Sequence, residues 1–96
     1  MRDFTFLTPH ARALLFIAND PGARLRDIAD ELGSTERTAH GIVADLCDAG
    51  YLIKEKDGRR NRYQLQHHLP LRDSVPRERT IGEVVSLFTG RPPRRR

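Results

Sequence analysis

LRDIADELGSTERTAHGIVADLCDAGYLIKEKDGRRNRYQL, residues 25–65, runs as a short helix, a tight turn, a longer helix and then a basic β-hairpin. Leu25, Ile28, Ala29 and Leu32 keep the i, i+3, i+4, i+7 spacing of one buried helical face. That helix ends at Gly33, and its start is poorly marked because Arg24 or Leu25 stands where a capping side chain is expected. Gly33-Ser34-Thr35 makes a compact turn, and Thr35 or Ser34 caps the next helix. Ala39, Ile42, Val43 and Leu46 form its inner side, and it closes at Ala49-Gly50. Tyr51 to Lys56 then turns strand-like. Asp57-Gly58 is a hairpin signal, since Gly accepts positive φ and Asp favours turns. Arg62 to Leu65 is the expected return strand, with Tyr63 and Leu65 on one side. Helix pairs and Asp-Gly hairpins are each common alone. In this order, with a tip reading Asp57-Gly58-Arg59-Arg60-Asn61-Arg62, they suit one helix in a DNA groove and a hairpin gripping the backbone beside it.

Outward from this stretch, Thr8-Pro9 marks a helix start and His10 to Asn19 carries Leu14, Leu15, Ile17 and Ala18 on a buried side. Asp20-Pro21-Gly22 stops it. Phe4 and Phe6 are expected to pack on the domain or on a partner copy. On the C-terminal side, residues 66–79 hold Pro70 and Pro76 among charges and read as a linker. Thr80-Ile81-Gly82-Glu83 has capping-box spacing, and Ile81, Val84, Val85 and Phe88 give one apolar stripe over a last short helix. That stripe either folds back on the domain or pairs with a second copy. Pro92-Pro93-Arg94-Arg95-Arg96 reads as a basic tail.

The 96 residues suit one small domain with a single core and no separate ligand domain. No apolar run approaches the roughly 20 residues of a membrane span, and no signal peptide stands at the N-terminus. One cysteine, Cys47, leaves no internal disulfide framework and no cysteine-rich zinc site. The expected location is cytoplasmic. Net charge is +4, divided unevenly: residues 1–50 carry five Arg/Lys against eight Asp/Glu, and residues 51–96 carry twelve against five. The basic half is where a polyanion would dock, or else a solubilising surface.

Leu25 to Thr35 resembles the helix–turn entry of winged helix-turn-helix regulators of the MarR/ArsR type. Leu46-Cys47-Asp48-Ala49-Gly50-Tyr51-Leu52 is similar to their recurrent exit from the recognition helix, and Asp57-Gly58-Arg59-Arg60 matches their wing tip. The similarity covers roughly residues 8–66. It implies an α+β winged helix-turn-helix, a three-helix core plus a β-hairpin wing, with a short C-terminal helix added here. It also implies sequence-selective binding to double-stranded DNA, usually as a homodimer, in transcriptional control. Two departures stand out. Long flanking helices that build an effector pocket are not visible, and neither is the Cys/His/Asp cluster of metal sensors. No cofactor, metal or small-molecule effector is therefore expected.

In such a fold the recognition helix would present Glu36, Arg37, Thr38, His40, Gly41 and Ala44 to base edges. Arg37 is the leading base reader, because its guanidinium can donate two hydrogen bonds to guanine. Glu36 could accept from cytosine or simply favour the helix dipole. Thr35 and Thr38 suit phosphate contacts. Gly41 costs about 1 kcal/mol relative to Ala inside a helix, which close approach to DNA or tight packing on another helix would explain. Arg59, Arg60 and Arg62 are expected on phosphates or in the minor groove, with Arg24 and Arg26 adding backbone contacts. A solvated hairpin tip is the plain alternative. His10, His40, His67 and His68 read as ordinary surface histidines, and Cys47 as a buried, inert thiol in preference to a redox switch. No paired carboxylates, activated nucleophile or phosphate loop suggests an enzyme.

Residues 1–66 thus read as the DNA-binding domain, 67–79 as linker, 80–90 as a helix for packing or dimerisation, and 91–96 as the tail. A winged-helix module that binds an acidic protein partner with the same arginines is the competing reading. On the DNA reading, Arg37→Ala should lose specificity and Arg60→Ala should weaken binding to all sequences alike.

Overall fold

The computed structural model describes residues 6–71 and 79–90. Phe4, the middle of the 67–79 linker and the 91–96 tail lie outside the described residues. Helix α1, Pro9–Asn19, begins where the Thr8 hydroxyl accepts the Ala11 N–H at 3.1 Å with Pro9 in the first turn. It buries Ala13, Leu14 and Ile17, an i, i+1, i+4 edge that forms the floor of the core. Helix α2, Leu25–Leu32, starts without a capping side chain of the usual kind. Instead the Asp27 carboxylate reaches back to accept the Arg24 N–H at 3.2 Å. At its other end Gly33 takes the left-handed conformation with φ 66°, and Ser34 N–H closes onto Ala29 O at 2.9 Å. Arg12 donates across from α1 to Glu31 O at 2.7 Å, satisfying a carbonyl of the last turn.

Helix α3, Glu36–Asp48, is capped by Thr35, whose hydroxyl accepts the Thr38 N–H at 3.1 Å. Its buried residues are Ala39, Ile42, Val43 and Leu46, as the spacing predicts. Strands β1, Leu52–Asp57, and β2, Arg60–Leu65, pair antiparallel from Leu52↔Leu65 to Asp57↔Arg60. The turn is therefore Gly58-Arg59 alone. Gly58 has φ 68° while Arg59 keeps a negative φ, the pattern of a type II′ turn. Arg60, Asn61 and Arg62, expected at the tip, belong to the strand, because this two-residue turn lets the ladder continue to its closing pair. Tyr63 and Leu65 do share the core-facing side with Leu52. A hydrogen bond from Tyr63 N–H to Pro21 O, 3.0 Å, ties the α1–α2 loop to the outer edge of β2.

Helix α4, Ile81–Thr89, opens on the expected capping box: Glu83 N–H donates to the Thr80 hydroxyl at 3.2 Å, and Thr80 N–H to the Glu83 carboxylate at 2.9 Å. That backbone donor, helped by Arg79, holds the Glu83 carboxyl below the usual range. Residues 67–71 run against 79–82 through Gly82 N–H to His67 O, Ile81 N–H to Leu69 O and Leu71 N–H to Arg79 O. The stripe splits in two. Ile81 and Val85 are buried in the common core, Val84 is half-buried, and Phe88 is 55% exposed because α4 meets the core, and α1 in particular, through its Ile81–Val85 edge. Leu87, outside the expected stripe, is 81% exposed. Phe6 is 91% exposed. Three helices, a wing and a short C-terminal helix make a winged helix-turn-helix in the α+β class. Among the described residues no helix is long and apolar enough to cross a membrane.

Candidate nucleic-acid interface

The burial of Ala39, Ile42, Val43 and Leu46 leaves the opposite pole of α3 to Arg37, Gly41, Ala44 and Asp48 at i, i+4, i+7, i+11. All four are exposed. Glu36 sits exposed in the first turn, where its charge favours the helix dipole. Thr35 and Thr38 are exposed too, but their hydroxyls are bonded to each other at 3.1 Å within the cap. Of the two explanations for Gly41, packing within the chain is overturned: a Cβ built there meets no atom within 4 Å.

Beside α3 lies a groove of about 750 Å³ whose far wall is the wing. It brings Arg24, His40, Ala44, Arg59 and Arg60 together. Arg26, Thr35, Glu36, Arg37, Thr38 and Gly41 stand outside it on the helix surfaces. Arg62 stands on the strand face opposite Tyr63 and Lys54, a face that Arg60 shares. It lines a second groove of about 530 Å³ with Ile17, Glu55, His67 and Val85. The alternation that turns Tyr63 inward also turns Arg62 away from it. Lys54 is a cation that the sequence reading missed. It pairs with Tyr63 across the ladder and lines the α3 groove, which strand parity counted from Leu52 would have shown.

The electrostatics divide by element. Helix α3 carries Arg37 against Glu36, Asp45 and Asp48, whereas the hairpin from Leu52 to Leu65 carries five cations against Glu55 and Asp57. Positive field therefore comes from the wing. Asp45 is engaged by His10 of α1, Nε2 to Oδ2 at 2.8 Å. A second ion pair joins Arg79 and Glu83, and among the described residues none of Arg24, Arg26, Arg37, Arg59 and Arg62 has a carboxylate within ion-pair distance. Cys47 stands half-buried in the groove wall, and burial pushes its thiol up, Lys54 and Asp48 pulling in opposite directions. It is a poor thiolate at neutral pH. Among the described residues no three His, Cys, Asp or Glu side chains converge as metal ligands.

A helix with a low, uncluttered outer pole beside a cationic hairpin has the shape and charge that could receive a grooved polyanion. The sequence profile of the MarR family matches residues 3–62, from ahead of α1 into β2. A protein named HTH-type transcriptional regulator PetP, from Rhodobacter capsulatus, is 31% identical over 75 residues, covering 78% of this chain and 44% of the relative. The chain thus spans less than half the length of that curated relative. With most of its length matched, the chain belongs to the MarR family.

Proposed function

We propose that this MarR-family chain is a sequence-selective regulator of transcription that binds double-stranded DNA as a homodimer. The observation that carries the reading is the outer pole of α3, where Arg37 stands without an acidic partner beside the bare positions Gly41 and Ala44. Laid in the major groove, this face lets the helix backbone come close while Arg37 forks onto a guanine edge. Glu36, His40 and Ala44 border the same bases. Thr35 and Thr38 meet the flanking phosphates at the helix start. The wing, with Arg59 at its turn, lies along the backbone or the minor groove, and Arg24, Arg26, Arg60, Arg62 and Lys54 add to its field. The relative's name supports this assignment. The reading carries with it a cytoplasmic location and a binding role, without catalysis or a resident cofactor.

Selection of preferred sites from a random duplex pool, followed by titration of variants, tests it. Arg37→Ala should cost about 1–3 kcal/mol on the selected site and flatten the preference at one base pair. Arg59→Ala should weaken all duplexes alike and reduce the salt slope by about 1. A parent chain that shifts no duplex at low salt, yet is captured by an acidic polypeptide, would replace DNA by a protein partner.

A further inference from the structure

We propose that Arg60 is a positioning residue: with Arg62 it clasps Gly22 and sets the angle of the wing, leaving Arg59 as the wing's phosphate contact. The guanidinium of Arg60 donates to Gly22 O, in the loop between α1 and α2. The guanidinium of Arg62 arrives at the same residue, its Nη1 3.5 Å from where a Cβ on Gly22 would sit, and Arg60 Nη2 is 3.7 Å from that point. As residues i and i+2 of β2 the two start from the same strand face, and both reach over the edge of the strand to Gly22. One position earlier, Pro21 O accepts the Tyr63 N–H at 3.0 Å. Two consecutive carbonyls of one loop therefore hold one strand of the hairpin.

This arrangement fixes what a two-stranded ribbon cannot fix for itself. An isolated hairpin is marginal and free to swing about its base. β1 and β2 bond mainly to each other, so the wing's orientation depends on what anchors its outer edge. Arg60 lies at the closing pair of the ladder, next to the turn, and its bond to Gly22 spans 38 positions of sequence. A planar guanidinium with several donors suits a carbonyl anchor of this kind, and a side chain longer than a methyl at Gly22 would meet the ends of both arms. Arg59, in the turn itself, forms no ion pair with the described residues, which leaves its guanidinium to point the grip.

The clasp rests on the DNA-binding reading for its consequence, though not for its existence, and the test separates the two. Binding to a random-sequence duplex is followed by fluorescence anisotropy over a salt series, for the parent and three variants. Arg59→Ala should lower the slope of log K against log salt by about 0.9, the loss of one phosphate contact. Arg60→Ala should weaken binding about fivefold at every salt concentration, the order of one hydrogen bond, with the slope nearly unchanged. Gly22→Leu keeps every charge and places a side chain where the arms meet. Its backbone is not left-handed, so the residue is conformationally tolerated, and it should reproduce the Arg60→Ala loss. Amide ¹⁵N relaxation over residues 57–62 of the free protein gives the second readout: motion should rise in Arg60→Ala and Gly22→Leu and stay at the parent level in Arg59→Ala. An Arg60→Ala slope that falls as far as that of Arg59→Ala overturns the proposal, as does an undisturbed hairpin in both clasp variants. A parent that binds no duplex sinks the DNA reading instead, and the relaxation data then decide the clasp alone.

Discussion

Gly41 shows how a single residue can be costly to the fold and useful at the surface. Glycine in mid-helix disfavours folding by about 1 kcal/mol relative to Ala. Nothing among the described residues requires it, since a Cβ there meets none of their atoms within 4 Å and its φ lies outside the left-handed region. Gly41→Ala should therefore raise stability by about 0.5–1 kcal/mol in thermal or urea unfolding. The same methyl stands on the outer pole of α3, so duplex affinity should fall. A variant that gains stability and keeps its affinity would show that this face does not lie against DNA. The absence of a packing reason became visible only when the neighbouring helices were in place. The caps were another matter. Thr35, Gly33 and Gly58 act within three or four residues of themselves, and each was legible from its neighbours. The Arg60–Gly22 bond was not, because no local pattern marks a side chain that crosses to another loop. Arg62 lay between these cases: its orientation followed from the parity of Tyr63, but its neighbour Gly22 did not.

At the scale of elements, α4 was legible as a helix and illegible in its docking. Thr80 and Glu83 announced its start, and its apolar residues announced an amphipathic face. Which edge would turn inward depended on α1, and the sequence reading chose a stripe that the structure divides between core and solvent. The residue that decides the docking is one that an apolar pattern overlooks. A Cβ on Gly82 would stand 2.8 Å from His67 O and 2.9 Å from His67 Cβ. That carbonyl already accepts the Gly82 N–H, and the next bond, Ile81 N–H to Leu69 O at 2.7 Å, holds the segment on its other side. With backbone on both sides, neither can step away. Gly82→Ala should destabilise the protein by about 1–3 kcal/mol despite its better helix propensity, the cost of overpacking a tight contact. Urea unfolding would show this as a lower midpoint. A neutral or stabilising result would mean that α4 docks more loosely than its hydrogen bonds to residues 67–69 imply. Helix α2 offers the converse. Its unmarked start hid a reversed solution, in which Asp27 supports the backbone of Arg24 and leaves the arginine side chain to solvent.

For the whole molecule, the two halves of the charge distribution become a division of labour. The three-helix body is acid-rich and, on the proposed reading, would carry the selective face, while the basic wing would supply attraction that is indifferent to sequence. One such unit would read only a few base pairs, which argues for two. The side of α4 that the core leaves uncovered carries Leu87 at 81% and Phe88 at 55% exposure, large apolar groups with nothing over them among the described residues. Burying such a pair against a twofold-related copy would remove them from water at about 25 cal/mol per Å² of apolar surface. Sedimentation equilibrium of the parent should therefore give a dimer. Leu87→Asp combined with Phe88→Asp should give a monomer whose helical circular dichroism is retained, because neither side chain belongs to the core. Ile81 and Val85 are unsuitable for the same experiment, since they are buried and their loss would unfold α4. The selected DNA should share the symmetry, with half-sites one helical turn of about 10 base pairs or a multiple apart. A parent that sediments as a monomer, or a doubly substituted chain that stays dimeric, would move the interface away from α4. Duplex affinity then distinguishes what pairing contributes: the monomer should keep the steep salt dependence of each wing but lose the gain from engaging both half-sites at once.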